Sequence, residues 1–216
     1  MIEQNQQSAS LQELKDIKRM MERSSRFISL SGLSGIAAGV CGLIGAWIAY
    51  GILNDYYANG SWDIFKRYSG PEFQDLKIKL LVLGIIVFIG AFLSSFVFTW
   101  LKAKKQNIPL WNLTSRKLFW NMIIPLSAGA LFIMGMLRYD DWRYVAPASL
   151  VFYGLALVNA SKFTFTDVRY LGYGQIILGL INMLNIGYGL YFWALGFGVL
   201  HIVYGAIMWW KYERNV

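Results

Sequence analysis

The sequence predicts an all-α, polytopic membrane protein: six transmembrane helices in three antiparallel hairpins, preceded by a cytoplasmic amphipathic helix. Three observations carry this. Hydrophobic residues make up 56% of the 216-residue chain and charged residues only 15%, against about 25% charge in a soluble domain. Mean hydropathy is +0.44, and several apolar runs exceed about eighteen residues, enough to cross a bilayer. Those runs are continuous and do not alternate, which selects helices over the strands of a barrel.

The chain divides into a cytoplasmic segment 1–28, a six-helix domain 29–211 and a short cytoplasmic tail 212–216. In the first segment Ser10 and Glu13 form a capping box, with Leu11, Leu14, Ile17 and Met21 on one side. An amphipathic helix over about 11–25 is expected. The polar opening residues leave no cleavable signal peptide, so the first span is expected to act as its own insertion signal.

The spans are expected at about 30–53, 79–100, 119–137, 144–160, 168–186 and 189–210. In the first, Gly32, Gly35, Gly39, Gly42, Ala46 and Ala49 recur at three- and four-residue steps, so one helix face is small throughout. Such a face lets helices approach closely in lipid. It fits closure within the bundle, or a homo-oligomer or membrane partner through Gly32, Gly35, Gly39 and Gly42. Cys41 lies off this stripe and reads as packing; as the only cysteine it has no intramolecular disulfide partner. The outer loop 54–74 holds a candidate short helix starting at Ser61. Pro71, Glu72 and Asp75 suit the first turn of the second span's helix. Pro125 interrupts the third span and frees a backbone carbonyl.

Charge sets the orientation. Fourteen of the twenty Lys and Arg residues fall in the N-terminal segment, the second–third and fourth–fifth connections and the tail. By the positive-inside rule that side is cytoplasmic, with both termini on it. Acidic residues divide evenly, six to each side, so the entire +8 excess is cytoplasmic. Contact with anionic lipid headgroups accounts for it, and nucleic-acid binding is excluded. Trp100, Trp111, Trp120, Trp142, Tyr144, Trp209 and Trp210 mark the span ends as interfacial anchors. The expected location is a bacterial cytoplasmic membrane.

Short turns make the third and fourth spans, and the fifth and sixth, antiparallel neighbours. In the first of these hairpins Gly135/Ala146, Phe132/Ser149, Ala128/Tyr153 and Pro125/Ala156 are expected to oppose one another. In the second the expected pairs are Gly205/Gly172, His201/Gln175, Gly198/Gly179 and Ala194/Asn182.

His201 is the sole histidine and sits near the middle of its span. A buried ring there is expected to be neutral. It reads as an interhelical lock bonded to Gln175 or as a proton-relay or ligand-contact residue, since intramembrane ionisable groups are costly and often functional. Ser149, Tyr153, Gln175, Asn182, His201 and Tyr204 form the candidate ligand-binding set, lining a cavity among helices three to six. No catalytic residues are assigned. The chain has no Cys/His cluster for zinc, no nucleophile motif and no phosphate loop, and no cofactor is predicted. Three functions follow. The first is a non-enzymatic protein that binds or moves a small or lipid-like ligand in that cavity. The second is an accessory or regulatory subunit acting through the N-terminal helix and the glycine stripe. The third is an intramembrane enzyme or haem protein using His201.

Overall fold

The computed structural model describes residues 30–59, 70–106 and 109–214. The expected amphipathic helix within 1–28 and the short helix expected from Ser61 lie outside the described residues. Among the described residues all regular structure is helical. The helices are α1 (Gly32–Asn59), α2 (Pro71–Lys105), α3 (Leu113–Arg138), α4 (Val145–Ala160), α5 (Asp167–Leu184), α6 (Gly189–Trp193) and α7 (His201–Tyr212). A π-helical turn, Ala194–Leu200, joins α6 to α7 in one terminal rod.

Among the described residues four helices are long and apolar enough to cross a membrane: α1, α2, α3 and the terminal rod, which with its preceding 3-10 turn runs Ile186–Tyr212. The apolar side chains Ile86, Phe88 and Phe92 of α2 are each about 60% exposed. Patches of this kind are tolerated against lipid, not against water. Two helices are shorter. The 16 residues of α4 cover about 24 Å and the 18 of α5 about 27 Å, at 1.5 Å per residue. These two are the most deeply buried, with Leu150, Ala156, Gln175 and Asn182 fully enclosed.

The second helix is longer than the 79–100 expected. Pro71 stands at its N-terminal start with Glu72 in the first turn, as the sequence indicated, and its 35 residues rise about 52 Å. The third begins earlier than expected, at Leu113. Asn112 accepts from the Ser115 N–H at 2.8 Å and the Ser115 hydroxyl accepts from the Asn112 N–H at 2.8 Å, a reciprocal cap. It ends in a Schellman turn: the Asp141 N–H reaches the Met136 carbonyl at 2.9 Å, with Asp140 at φ 61°. Asp tolerates this left-handed position better than most residues, and Asp140 pairs there with Lys77 of α2.

The helices pack in sequence across the molecule. α2 leans on α1, α1 on the terminal rod, the rod on α4 and α5, and α3 on α4. Glycines set each close contact. A Cβ on Gly39 would lie 2.7 Å from the Gly198 carbonyl oxygen and 2.9 Å from the Ile202 nitrogen. A Cβ on Gly32 would meet the Gly205 carbonyl oxygen at 2.6 Å, and one on Gly42 the Phe197 oxygen at 2.6 Å. The small face of α1 is therefore occupied by the chain's own terminal rod, running antiparallel to it. Cys41 packs toward Ser94 of α2.

The residue pairs expected across the hairpins need revision, although the α3–α4 spacing does not. In the α3–α4 pair Gly129 faces Phe152 and Asn121 faces Asn159, whereas Gly135 has open space around it and Tyr153 turns to the rod. The spacing along the two helices is as expected, but a neighbouring face carries the contact. α5 and the terminal rod meet where Gln175 and His201 both reach the Gly196 carbonyl, and not through the glycine pairs expected. Gly172 and Gly179 pack on α4, against Gly154 and the Pro147 oxygen, while Gly198 and Gly205 pack on α1. The two stripes expected to face each other thus face other helices: that of α5 meets the preceding helix, α4, and that of the rod meets α1.

At the end carrying the excess basic charge, polar contacts tie four segments together. Glu213 accepts from the Gly32 N–H at 2.6 Å, from the Ser31 hydroxyl at 3.1 Å and from Lys102 at 3.0 Å. A carboxylate from the chain's far end thus caps the N-terminus of α1, where its charge also suits the helix dipole. Lys102 donates to the Leu30 carbonyl as well, at 2.7 Å. Beside this clamp Asp167, in the first turn of α5, accepts from Lys211 at 3.0 Å and Tyr212 at 2.8 Å.

Two outcomes are expected. Gly39→Ala must push two backbones apart, so it should destabilise the protein by about 1–3 kcal/mol in detergent unfolding. Gly90→Ala, with nothing within 4 Å, should not destabilise it. Partial burial would raise the Asp167 carboxyl, but the Tyr212 and Lys211 hydrogen bonds outweigh burial and hold it below its usual range. Its contribution is therefore full above its unfolded pKa and lost as pH falls through the lower folded value. Thermal unfolding measured from pH 7 down to about pH 3 should show a steeper acid loss in the wild type than in Asp167→Asn.

Candidate functional site

Three of the six candidate side chains meet at one point. Close approach of α4 to α5 makes this possible: a Cβ on Gly154 would lie 2.7 Å from the Gly172 carbonyl oxygen. Tyr153 and Gln175 then both reach the terminal rod at its π turn. The wider turn matters locally. The Gly196 carbonyl accepts from the Gln175 side-chain amide at 2.8 Å and from His201 Nδ1 at 2.9 Å. A methyl at residue 196 would meet the ends of the Leu150 and Gln175 side chains, 2.6 Å from Gln175 Oε1, so glycine leaves room for this approach.

The partners fix the histidine's tautomer. A carbonyl oxygen can only accept, so the proton sits on Nδ1. Nε2 is then the acceptor, and the Tyr153 hydroxyl donates to it at 2.9 Å. Gln175 Nε2 lies 3.4 Å from His201 Nδ1, but both carry hydrogens, so the two groups share the Gly196 acceptor and do not bond to each other. This refines the expected Gln175–His201 lock: the residues are neighbours, and a backbone oxygen joins them. The rings of Tyr153 and His201 stack with centroids 5.4 Å apart, and Phe197 lies 6.1 Å from His201. Gln175 is fully buried and His201 is 5% exposed.

The other three candidates serve locally. The Ser149 hydroxyl donates back to the Ala146 carbonyl at 2.8 Å. Asn182 donates to the Asn185 carbonyl at 3.1 Å, at the end of α5. Tyr204, one turn beyond His201, packs against Leu157, Val168 and Leu171. The Tyr204 hydroxyl, Gln175 Oε1 and Asn182 Oδ1 are buried with no hydrogen-bond partner among the described residues. Likewise, no group of three His, Cys, Asp or Glu residues is placed to hold a metal among them.

A groove opens at a different place in this half of the molecule, between α3 and α4. It has a volume of about 480 Å³ and is lined by Pro125 and Ala128 on one side and by Phe152, Leu155, Val158, Asn159 and Lys162 on the other. Pro125 lacks an N–H, which leaves the Asn121 carbonyl four residues earlier without its helical donor. Asn159 supplies one, donating to that oxygen at 2.9 Å. The polar amide thus pins α3 to α4 at one end of the groove, while Gly129 lets Phe152 approach at the other. The walls between are apolar.

The chain matches no protein-family model, no curated protein and no solved structure. Its site has to be read from its own geometry.

The sequence pointed to Tyr153, Gln175 and His201, and to the carbonyl freed by Pro125. It did not point to Gly196, whose backbone carbonyl is the shared acceptor. Leu155, Val158 and Lys162 were missed because the groove lies on a face of α4 that carries no small-residue stripe.

Tyr153→Phe removes the donor to His201 Nε2 and leaves a buried acceptor unpaired. Interhelical bonds of this type are worth about 0.6–2 kcal/mol in membrane proteins. A loss in that range is expected in detergent unfolding. It should shrink when His201→Phe is also present, because the two substitutions remove the same contact.

Proposed function

We propose that this chain is a six-span integral membrane protein, with both termini on the cytoplasmic side, that binds a lipid-like ligand in the groove between α3 and α4. The observation that carries this reading is the groove's composition: an apolar trough closed at one end by Asn159 and Lys162. Its volume falls within the range of sites that hold a single small ligand, about 300–1,000 Å³. α4 and α5 are short for a full crossing, yet they are the best buried helices, and neighbouring longer helices shield them. Their placement as the fourth and fifth spans accommodates the alternating direction of the chain and keeps the basic connections on one side.

In this reading the polar centre at His201 positions α4 against the rod and does not contact the ligand. Its hydrogen-bonding capacity is directed at Tyr153 and Gly196, which supports a lock over a haem or catalytic role.

Native mass spectrometry of the full chain, extracted in mild detergent, tests the groove. The wild type should retain one bound phospholipid. Ala128→Trp, which fills the trough from the α3 side, should lose it while keeping the wild-type melting temperature. Equal lipid retention by both proteins would refute the site.

A further inference from the structure

We infer that the occupant of the α3–α4 groove is an anionic phospholipid of the leaflet on the basic side, its phosphate held at Lys162 and one acyl chain laid along Val158, Leu155 and Phe152. This rests on the groove being a lipid site. It adds the leaflet, the headgroup charge and the residue that reads it.

The first support is length. From Lys162 to Phe152 is ten residues of chain, nearly all helical. At 1.5 Å per residue this spans about 15 Å, half of the roughly 30 Å hydrocarbon core. The groove therefore runs from one interface to the bilayer midplane, the depth of one leaflet. A chain entering at Lys162 would end near Phe152, where Gly129 and Phe152 close together.

The second support is charge. Lys162 is exposed and donates only to the neutral Asn159 Oδ1, at 3.3 Å. It forms no ion pair with a carboxylate among the described residues, unlike Lys77, Lys79, Lys102 and Lys211. Arg116 and Lys117 stand in the first turns of α3 at the same end of the hairpin, and no acidic residue lies between Leu101 and Leu118. The nearest carboxylate along the chain, Asp167, is engaged by Lys211 and Tyr212. An unpaired ammonium at the mouth of an apolar trough complements a phosphate joined to an acyl chain. The cytoplasmic leaflet, to which the basic side belongs by the orientation proposed, is also the one richer in anionic lipid.

The third support is that the mouth is fixed. Asn159 bonds to the carbonyl freed by Pro125 and accepts from Lys162. The ammonium's hydrogen-bond partner thus lies at the groove's polar end.

The test uses the full chain in mild detergent, with dioleoylphosphatidylglycerol or dioleoylphosphatidylcholine added and bound lipid counted by native mass spectrometry. The wild type should prefer the anionic lipid about fivefold, the effect of one basic side chain at a membrane surface. Lys162→Gln should bring the two lipids close to parity, and Lys162→Arg should restore the preference. Inorganic phosphate at millimolar concentration should not displace the lipid; displacement would assign the site to free phosphate and overturn the inference. Equal binding of both lipids by the wild type, or an undiminished preference in Lys162→Gln, would also overturn it. If Ala128→Trp abolishes binding of both lipids while the wild type shows no preference, the groove stands and only the headgroup assignment fails. If Ala128→Trp leaves both lipids bound, the groove itself is not the site.

Discussion

Backbone contact between α1 and the terminal rod is the constraint on which the remaining structure depends. In lipid there is no hydrophobic gain from bringing two apolar helices together, so association relies on close van der Waals packing and on hydrogen bonds. Gly32, Gly35, Gly39 and Gly42 remove the side chains that would hold the helices apart, and carbonyls of the rod fill the space. Once the rod is seated, its other side meets α4 and α5, and the π turn brings His201 to Tyr153. α2 and α3 then attach at the two flanks, each to one principal neighbour.

Polar groups in this fold are spent on joining helices that would otherwise have only dispersion to hold them. Asn159 satisfies the carbonyl that Pro125 exposes, converting a defect in α3 into a cross-link to α4. The Gly196 oxygen collects two donors from two helices. Glu213 serves the start of α1, the end of α2 and its own helix end at once. A neutral lock joins the helices at mid-length and charged clamps join them at their ends, and the largely buried Lys102–Glu213 pair is sustained by further hydrogen bonds to Gly32, Ser31 and Leu30.

Helix positions were legible from the apolar runs, and most observed boundaries lie within a few residues of the sequence reading. The third helix is an exception with a local cause: the Asn112–Ser115 cap starts it outside the apolar stretch, while Pro71 starts the second where the sequence placed it. The small-residue stripes were legible as packing faces, but their partners were not. A stripe records that something approaches closely without recording which helix does so: the stripes of α5 and the rod were matched to each other, where the structure gives the first to α4 and the second to α1. His201, Gln175 and Tyr153 were legible because a polar group in an apolar run has to find company. The groove was not, because it depends on the angle between α3 and α4 and on side chains, Leu155 and Val158, that look the same whether they face lipid or a partner.

The pairing of α1 with a rod far along the chain sets the timetable of assembly. Residues emerge from a ribosome at roughly 5–20 per second, so α1 waits on the order of ten seconds or more before its counterpart exists. During that interval its glycine face has no rod to meet, and the Gly32 amide has no Glu213 to receive it. A ribosome stalled before the final helix would leave a membrane-inserted intermediate with its tightest contact unmade. Such a half-built chain would present an open glycine face to any quality-control protease or insertase that recognises small-residue helices.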